Sequence, residues 1–346
     1  MGSIIKLGGI SSFEDLVSVS GDLPVQERLP DHFRENIFPL LNMGEWISIL
    51  LEALPEGSFT TFGRIASALG TVKASRAVGE LISKGKVSGP VHRVVYSDGT
   101  VPSRSPLLAE FEHGTRIPLD DLIDFEVLHP PLYTLISVQE SLRKYGGGER
   151  FEIETIAGMD ISSGADSHVG AIVVMERNGE LLGETTAVGE LPLPYISGLL
   201  FFREAPILVP LMEKAVSEGM VNMKTLFVLD GNGILHPRRM GLASQVGIVT
   251  KRMTCGIAKK INMGVVKDPV PMDHLRSKAP VMDGKERIGT ALVKRGSKPV
   301  YLSRGHGCED DYILDVLTEL WKYRIPEPTR KAHELANRVR RELPSG

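Results

Sequence analysis

Asp160, Glu204 and Asp230 are the residues whose charge least suits their surroundings. Asp160 lies inside the apolar run Ile156-Ala157-Gly158-Met159-Asp160-Ile161. Asp230 ends Leu226-Phe227-Val228-Leu229 and opens Gly231-Asn232-Gly233, and Glu204 follows Arg203 after an apolar stretch. A carboxylate near buried sheet positions is costly unless it is paired or metal-bound. Hard divalent cations such as Mg²⁺ take oxygen ligands of this kind, commonly one or two carboxylates with waters and phosphate oxygens. Such a site can activate a water and neutralise charge on a phosphodiester under in-line attack. Each residue alone also has a plainer reading, Asp230 as the start of a turn and Glu204 as the partner of Arg203. Cys255 and Cys308 are the only cysteines and form no CxxC pair, which argues against a disulfide framework or a structural zinc site.

Charge is nearly balanced overall, at −3, but unevenly spread. Asn232 to His306 carries 15 Lys and Arg against 4 Asp and Glu, and Thr60 to Arg104 carries 7 against 2, leaving +11 and +5. Excesses of this size mark either a polyanion-binding surface, nucleic acid being the commonest partner, or a solvated basic face balanced elsewhere.

The elements that must position these groups fall into two blocks within 346 residues. Residues 40–116 read as short helices at Gly44 to Leu54, Phe62 to Leu69 and Ala74 to Ser83, with a capping-type Ser58-Phe59-Thr60-Thr61 and a closing Gly70, a helix-turn-helix candidate. An extension, 1–39, precedes them. Residues 117–131, with Pro118, Pro130 and Pro131, read as a linker. Residues 132–346 begin with a helix, Leu132 to Tyr145, then strands at Ile153 to Ile161, Val169 to Arg177 and Glu180 to Val188, with an Arg177-Asn178-Gly179 turn. Helices and strands alternate from Ala205, with strands at Thr225 to Leu229, Met253 to Ile257, Arg287 to Lys294 and Pro299 to Ser303, and the chain ends in two helices. Hairpins followed by αβ alternation imply an α/β fold, a mixed sheet with helices on its faces. No run reaches the ~18 apolar residues of a membrane span and the amino terminus lacks a signal pattern, so a cytoplasmic protein with no membrane partner is expected.

The motifs carry more than the pattern. Tyr195-Ile196-Ser197-Gly198-Leu199-Leu200-Phe201-Phe202-Arg203-Glu204-Ala205-Pro206 and Asp230-Gly231-Asn232-Gly233-Ile234-Leu235-His236-Pro237-Arg238-Arg239 resemble two signatures of the endonuclease V family. Gly256-Ile257-Ala258-Lys259-Lys260, Lys298 to His306, and Tyr323-Arg324-Ile325-Pro326-Glu327-Pro328-Thr329-Arg330 match three more, all in family order. The resemblance implies an RNase H-like fold and a Mg²⁺-dependent endonuclease, Mn²⁺ substituting, that nicks the second phosphodiester 3′ of deoxyinosine. It implies that Asp160, Glu204 and Asp230 hold metal, and that Lys259 and His306 sit against the scissile phosphate or attacking water. Tyr195 would fill the gap left by an extruded base, with His236 and Arg238 as further DNA contacts. The sequence departs from the family's pattern in lacking a Tyr after Asp160, and in having Gln245 for a His and Ser197 for a Pro.

Thr60-Thr61-Phe62-Gly63-Arg64-Ile65-Ala66, Ala74-Ser75-Arg76-Ala77-Val78-Gly79 and Pro90-Val91-His92-Arg93-Val94-Val95 resemble the DNA-binding half of alkylguanine-DNA alkyltransferases. Val91 occupies the position of that family's nucleophilic cysteine, and valine has no nucleophilic atom. The resemblance gives Phe62 the base-flipping position, Arg76 the finger that enters the base stack and Arg93 a DNA contact. Glu110 and Glu112 both lie near the position of the acidic support for the His. The expectation is a winged helix-turn-helix-like module lacking its nucleophile, fused to a nuclease acting on DNA. The alternatives are a bifunctional alkyltransferase in which Val91 replaces a native cysteine, a non-catalytic lesion-binding adaptor, and an inosine-specific nuclease acting on RNA.

Overall fold

The structure, a computed structural model, describes residues 4–7, 37–103, 115–164, 167–271, 277–293 and 297–343. Glu110 and Glu112 lie outside them. The described residues fold as two compact units, the first drawn from 4–7, 37–138 and 192–199, the second from 139–191 and 200–343.

The first unit contains β1 (Ile4–Leu7), α1 (Met43–Glu52), β2 (Thr60–Thr61), α2 (Phe62–Ala68), α3 (Ser75–Ser83), β3 (Val94–Val95) and β4 (Asp124–Val127), and α4 (Pro131–Leu142) begins in it. The stripe Ile47, Leu50 and Leu51 buries one face of α1, as helical spacing requires. Thr61 caps α2, its Oγ1 accepting the Arg64 N–H at 3.0 Å. Residues 117–131 depart from the linker expectation. β4 pairs parallel with β1, and Leu122 joins Val95, Val101 and Ile117 in a buried cluster. The Ile123 N–H donates to the Phe59 carbonyl at 2.7 Å, and Arg64 forms an ion pair with Asp124 at 3.3 Å. Pro118 caps the short 3-10 helix Leu119–Asp121 and Pro131 opens α4, while Leu122, Ile123 and Phe125 between them are apolar and buried. Part of the 1–39 extension, β1, is likewise a sheet partner.

The second unit is built on one mixed sheet of β5 (Thr155–Ser163), β6 (His168–Glu176), β7 (Leu181–Gly189), β8 (Thr225–Asp230), β9 (Met253–Ala258), β10 (Val265–Val266), β11 (Val270–Pro271), β12 (Ser277–Asp283), β13 (Glu286–Val293) and β14 (Val300–His306). The order is β10-β12-β13-β14-β9-β8-β5-β6-β7, with β11 pairing β12. β5, β6 and β7 form an antiparallel meander, β8 runs parallel to β5, and β9 parallel to β8. That is the expected RNase H-like arrangement, extended past β9 by antiparallel strands.

The helices are α5 (Leu200–Ser217), α6 (Leu242–Thr250), α7 (Asp310–Thr318) and α8 (Glu327–Glu342). Side chains alternate across a sheet, so one face of β6 offers Ala171, Val173 and Met175 to Ala332, Leu335 and Ala336 of α8. On the other face Ile207 and Leu211 of α5 lie over Gly170, where a Cβ would come within 2.6 Å of Ile207. Among the described residues no helix is long and apolar enough to cross a membrane.

Candidate metal centre and nucleic-acid interface

Met159 of β5 and Leu229 of β8 are register partners in parallel strands. Asp160 and Asp230, one residue further on, therefore stand level on adjacent central strands and share a face. It is the face covered by α8, since a Cβ on Gly158 would meet the Pro328 backbone at 2.1 Å. Glu204 arrives from the second turn of α5, which packs on the opposite face. The three carboxyl groups act on one another: the Asp160 and Asp230 charges add to the effect of burial on Glu204. Burial first, then those charges, push Glu204 up to about 8, with Arg203 opposing. Asp230 is also raised, chiefly by burial and then by Asp160, while Lys259 pulls the other way.

Two basic side chains already serve this cluster. The Lys259 ammonium, just past the end of β9, forms an ion pair with Asp230 Oδ2. His333 of α8 sets Nδ1 2.5 Å from Asp160 Oδ2, and that hydrogen bond is the main cause of its raised pKa. His333 was not singled out in the sequence. A lone His on a polar amphipathic helix reads as a surface residue, and the signal that would have found it is its place three residues beyond Arg330, at the end of the fifth motif. That motif holds the helix in place. Arg330 grips Glu327 through two hydrogen bonds of 2.8 and 2.7 Å and stacks on Tyr323 at 4.7 Å, while Pro328 presses on the bare backbone of Gly158.

Among the described residues no three His, Cys, Asp or Glu side chains are gathered into a formed metal cage. The donor set nonetheless fits a hard cation. It consists of carboxylate oxygens at the sheet and helix ends, with Glu204 raised to about 8 by burial and then by the two neighbouring carboxylates.

His306 is not placed with these groups, a correction to the expectation. β14 runs antiparallel to β9, with His306 opposite Thr254, and Thr254 lies beside Phe227, three residues before Asp230. The ring abuts Gly148, where a Cβ would come within 2.2 Å of Nε2, and lines a cavity of about 450 Å³ with Lys144, Tyr145 and Arg252. Burial lowers its pKa. His236 is buried, and its Nδ1 accepts the Arg238 N–H at 3.2 Å within its own turn. Arg238 is partly buried, with Nε donating to Gln139 Oε1 at 2.5 Å. Gln139 Nε2 and Gln245 Nε2 both donate to the Met240 carbonyl, at 2.7 and 2.9 Å. The glutamine that departs from the motif thus fills a structural position.

Tyr195 is 59% exposed, in the Pro192–Leu199 segment that clusters with the first unit. In that unit Phe62 opens α2, its ring 5.7 Å from that of Tyr96 and lying over Gly79. Arg76 is exposed on α3. Val91 begins the short turn Val91–Arg93, and Arg93 Nη1 donates to the Pro55 carbonyl at 3.1 Å.

Residues 138–334 match the family model described as Endonuclease V, and residues 45–113 match the model for the DNA binding domain of 6-O-methylguanine DNA methyltransferase. An endonuclease V of Streptomyces avermitilis is 37% identical over 193 residues, covering 54% of this chain and 81% of that protein. The crystal structure of endonuclease V from Streptomyces avermitilis matches at a TM-score of 0.52 and 35% identity, over 60% of this chain and 92% of that one. A Ciona intestinalis endonuclease V, solved with a DNA containing an inosine followed by a ribo-adenosine, shares the fold at a TM-score of 0.54 and 24% identity, over 62% and 98%.

Proposed function

The chain belongs to the endonuclease V family, and from that premise we propose that this nuclease nicks DNA at the second phosphodiester 3′ of deoxyinosine by metal-assisted hydrolysis. The observation that carries the reading is the level pairing of Asp160 and Asp230 on adjacent parallel strands, with Glu204 electrostatically coupled to both. Asp160, Glu204 and Asp230 would hold Mg²⁺ or Mn²⁺. When bound, such an ion supplies charge neutralisation at the phosphate and a more acidic water. Lys259, beside Asp230, brings a cation to the phosphate side, and His333 orients Asp160. The exposed Tyr195 ring fills the stack vacated by the extruded base. The Ciona relative's inosine-containing DNA and the local basic excess from Asn232 to His306 support the substrate class.

The first unit binds DNA through Phe62, Arg76 and Arg93. It takes no alkyl group covalently, because Val91 offers no nucleophile. The absence of a membrane-crossing helix among the described residues is compatible with cytoplasmic residence.

The test is nicking of duplexes containing deoxyinosine, and of matched RNA, with Mg²⁺, with Mn²⁺ and with chelator. Deoxyinosine DNA is expected to be cut only with metal. Asp160→Ala or Asp230→Ala should abolish nicking while DNA binding stays measurable. Nicking retained by both variants defeats the site assignment, binding without nicking by the unaltered chain leaves the adaptor reading, and RNA cut in preference to DNA changes the substrate class.

A further inference from the structure

His333 is half-exposed, and an imidazole so placed has no fixed tautomer unless its neighbours impose one. Four hydrogen bonds behind it do so. Arg340 Nε can only donate, and it lies 2.8 Å from Ser162 Oγ, so that oxygen accepts. The Ser162 hydroxyl hydrogen is then directed at Asn337 Oδ1, 2.7 Å away. The opposite end of the amide, Nδ2, lies 2.9 Å from the His333 carbonyl oxygen, which can only accept. Two independent partners therefore fix the same amide orientation. The remaining Nδ2 hydrogen faces His333 Nε2 at 3.0 Å, so Nε2 must present its lone pair.

We propose that Asn337, oriented by Ser162 and Arg340, is a positioning residue that keeps the His333 proton on Nδ1, making the ring a hydrogen-bond donor to Asp160. The network is anchored at its buried end: Ser162 is 6% exposed on β5, two residues past Asp160 on the same face of the sheet. Asn337 is one helical turn past His333 on α8, so side chains at i and i+4 meet over the strand that carries Asp160. The His333 Nε2 lone pair is occupied by the amide and is withheld from proton abstraction, and the ring serves by fixing which oxygen of Asp160 is engaged. Only the consequence for rate rests on the proposed nuclease activity, since the tautomer is a property of the folded chain.

The test uses the full chain in chelator, labelled with ¹⁵N-histidine, with the His333 signal assigned by its loss in His333→Gln. At a pH above the titration of the ring the ¹⁵N shifts should show Nδ1 protonated and Nε2 bare. Asn337→Asp replaces the donor with an acceptor and should bring a proton onto Nε2, while Ser162→Ala, a one-atom change, should mix the tautomers. Nicking kcat should fall about 10- to 100-fold in Asn337→Asp with little change in KM, the range for loss of a partner behind a metal-site residue. A protonated Nε2 in the unaltered chain, or an unchanged pattern in Asn337→Asp, overturns the proposal. If Asn337→Asp does not fold, an unchanged pattern in Ser162→Ala does so instead. Should the expected tautomers appear in a chain that does not nick deoxyinosine DNA, the positioning role stands and the nuclease reading falls.

Discussion

Glu204 differs from the other two carboxylates in what it costs the fold. Its pKa is about 8 in the native state against 4.5 when free of these neighbours, so between those values the native state holds a proton that the unfolded chain has lost. Stability of the metal-free protein should therefore decline as pH rises from about 4.5 through about 8. Glu204→Gln should flatten that decline, as thermal melts in chelator across pH 5 to 9 would read, and a slope unchanged by the substitution would contradict the assignment. The three carboxylates stood out as charges beside apolar runs, but each alone had a plain explanation, and only the family motifs joined them into a proposed metal set. His333 did not stand out, because its role depends on a partner 173 residues away and its own helix looks solvated. His306 misled for the opposite reason. Its motif is well formed, but strand direction, which the motif does not state, carries it away from the carboxylates.

At the scale of elements, the reading of strands and helices held to within a few residues where periodicity was strong. β5 to β9, α5 and α8 fall close to their expected places, although α5 starts earlier, at Leu200. β12 was missed: Ser277–Asp283 contains Lys278 and Pro280, and its pairing with β10, β11 and β13 makes it a strand. The 117–131 segment was misread because turn residues dominate its composition, while the burial of Leu122 and Phe125 is a tertiary fact. The junction of β5 with α8 is the element contact on which the site depends. Gly158→Ala forces a methyl against the Pro328 and Thr329 backbone and must shift the start of α8. A loss of about 1–3 kcal/mol, the usual range for overpacking, is expected in urea unfolding. Nicking should fall further than the stability loss explains, because His333 rides on the same helix. A stable variant with full activity would show that α8 need not sit where it does.

The whole molecule joins two units that each match DNA-binding or DNA-cutting families and each carry a local basic excess. Arg76→Ala should weaken binding to inosine-containing and undamaged duplex alike, with a salt slope shallower by about one phosphate contact and an unchanged kcat at saturating DNA. Equal affinity before and after the substitution, measured by fluorescence anisotropy at several salt concentrations, would remove Arg76 from the interface. Length changes should be tolerated very unequally along such a chain. Because Asp160 and Asp230 meet through strand parity, deleting one residue between Thr225 and Leu229 would leave β8 able to pair yet turn the Asp230 carboxylate to the α5 side. The gene can thus vary its loops freely, but within these two strands it is held to an even count.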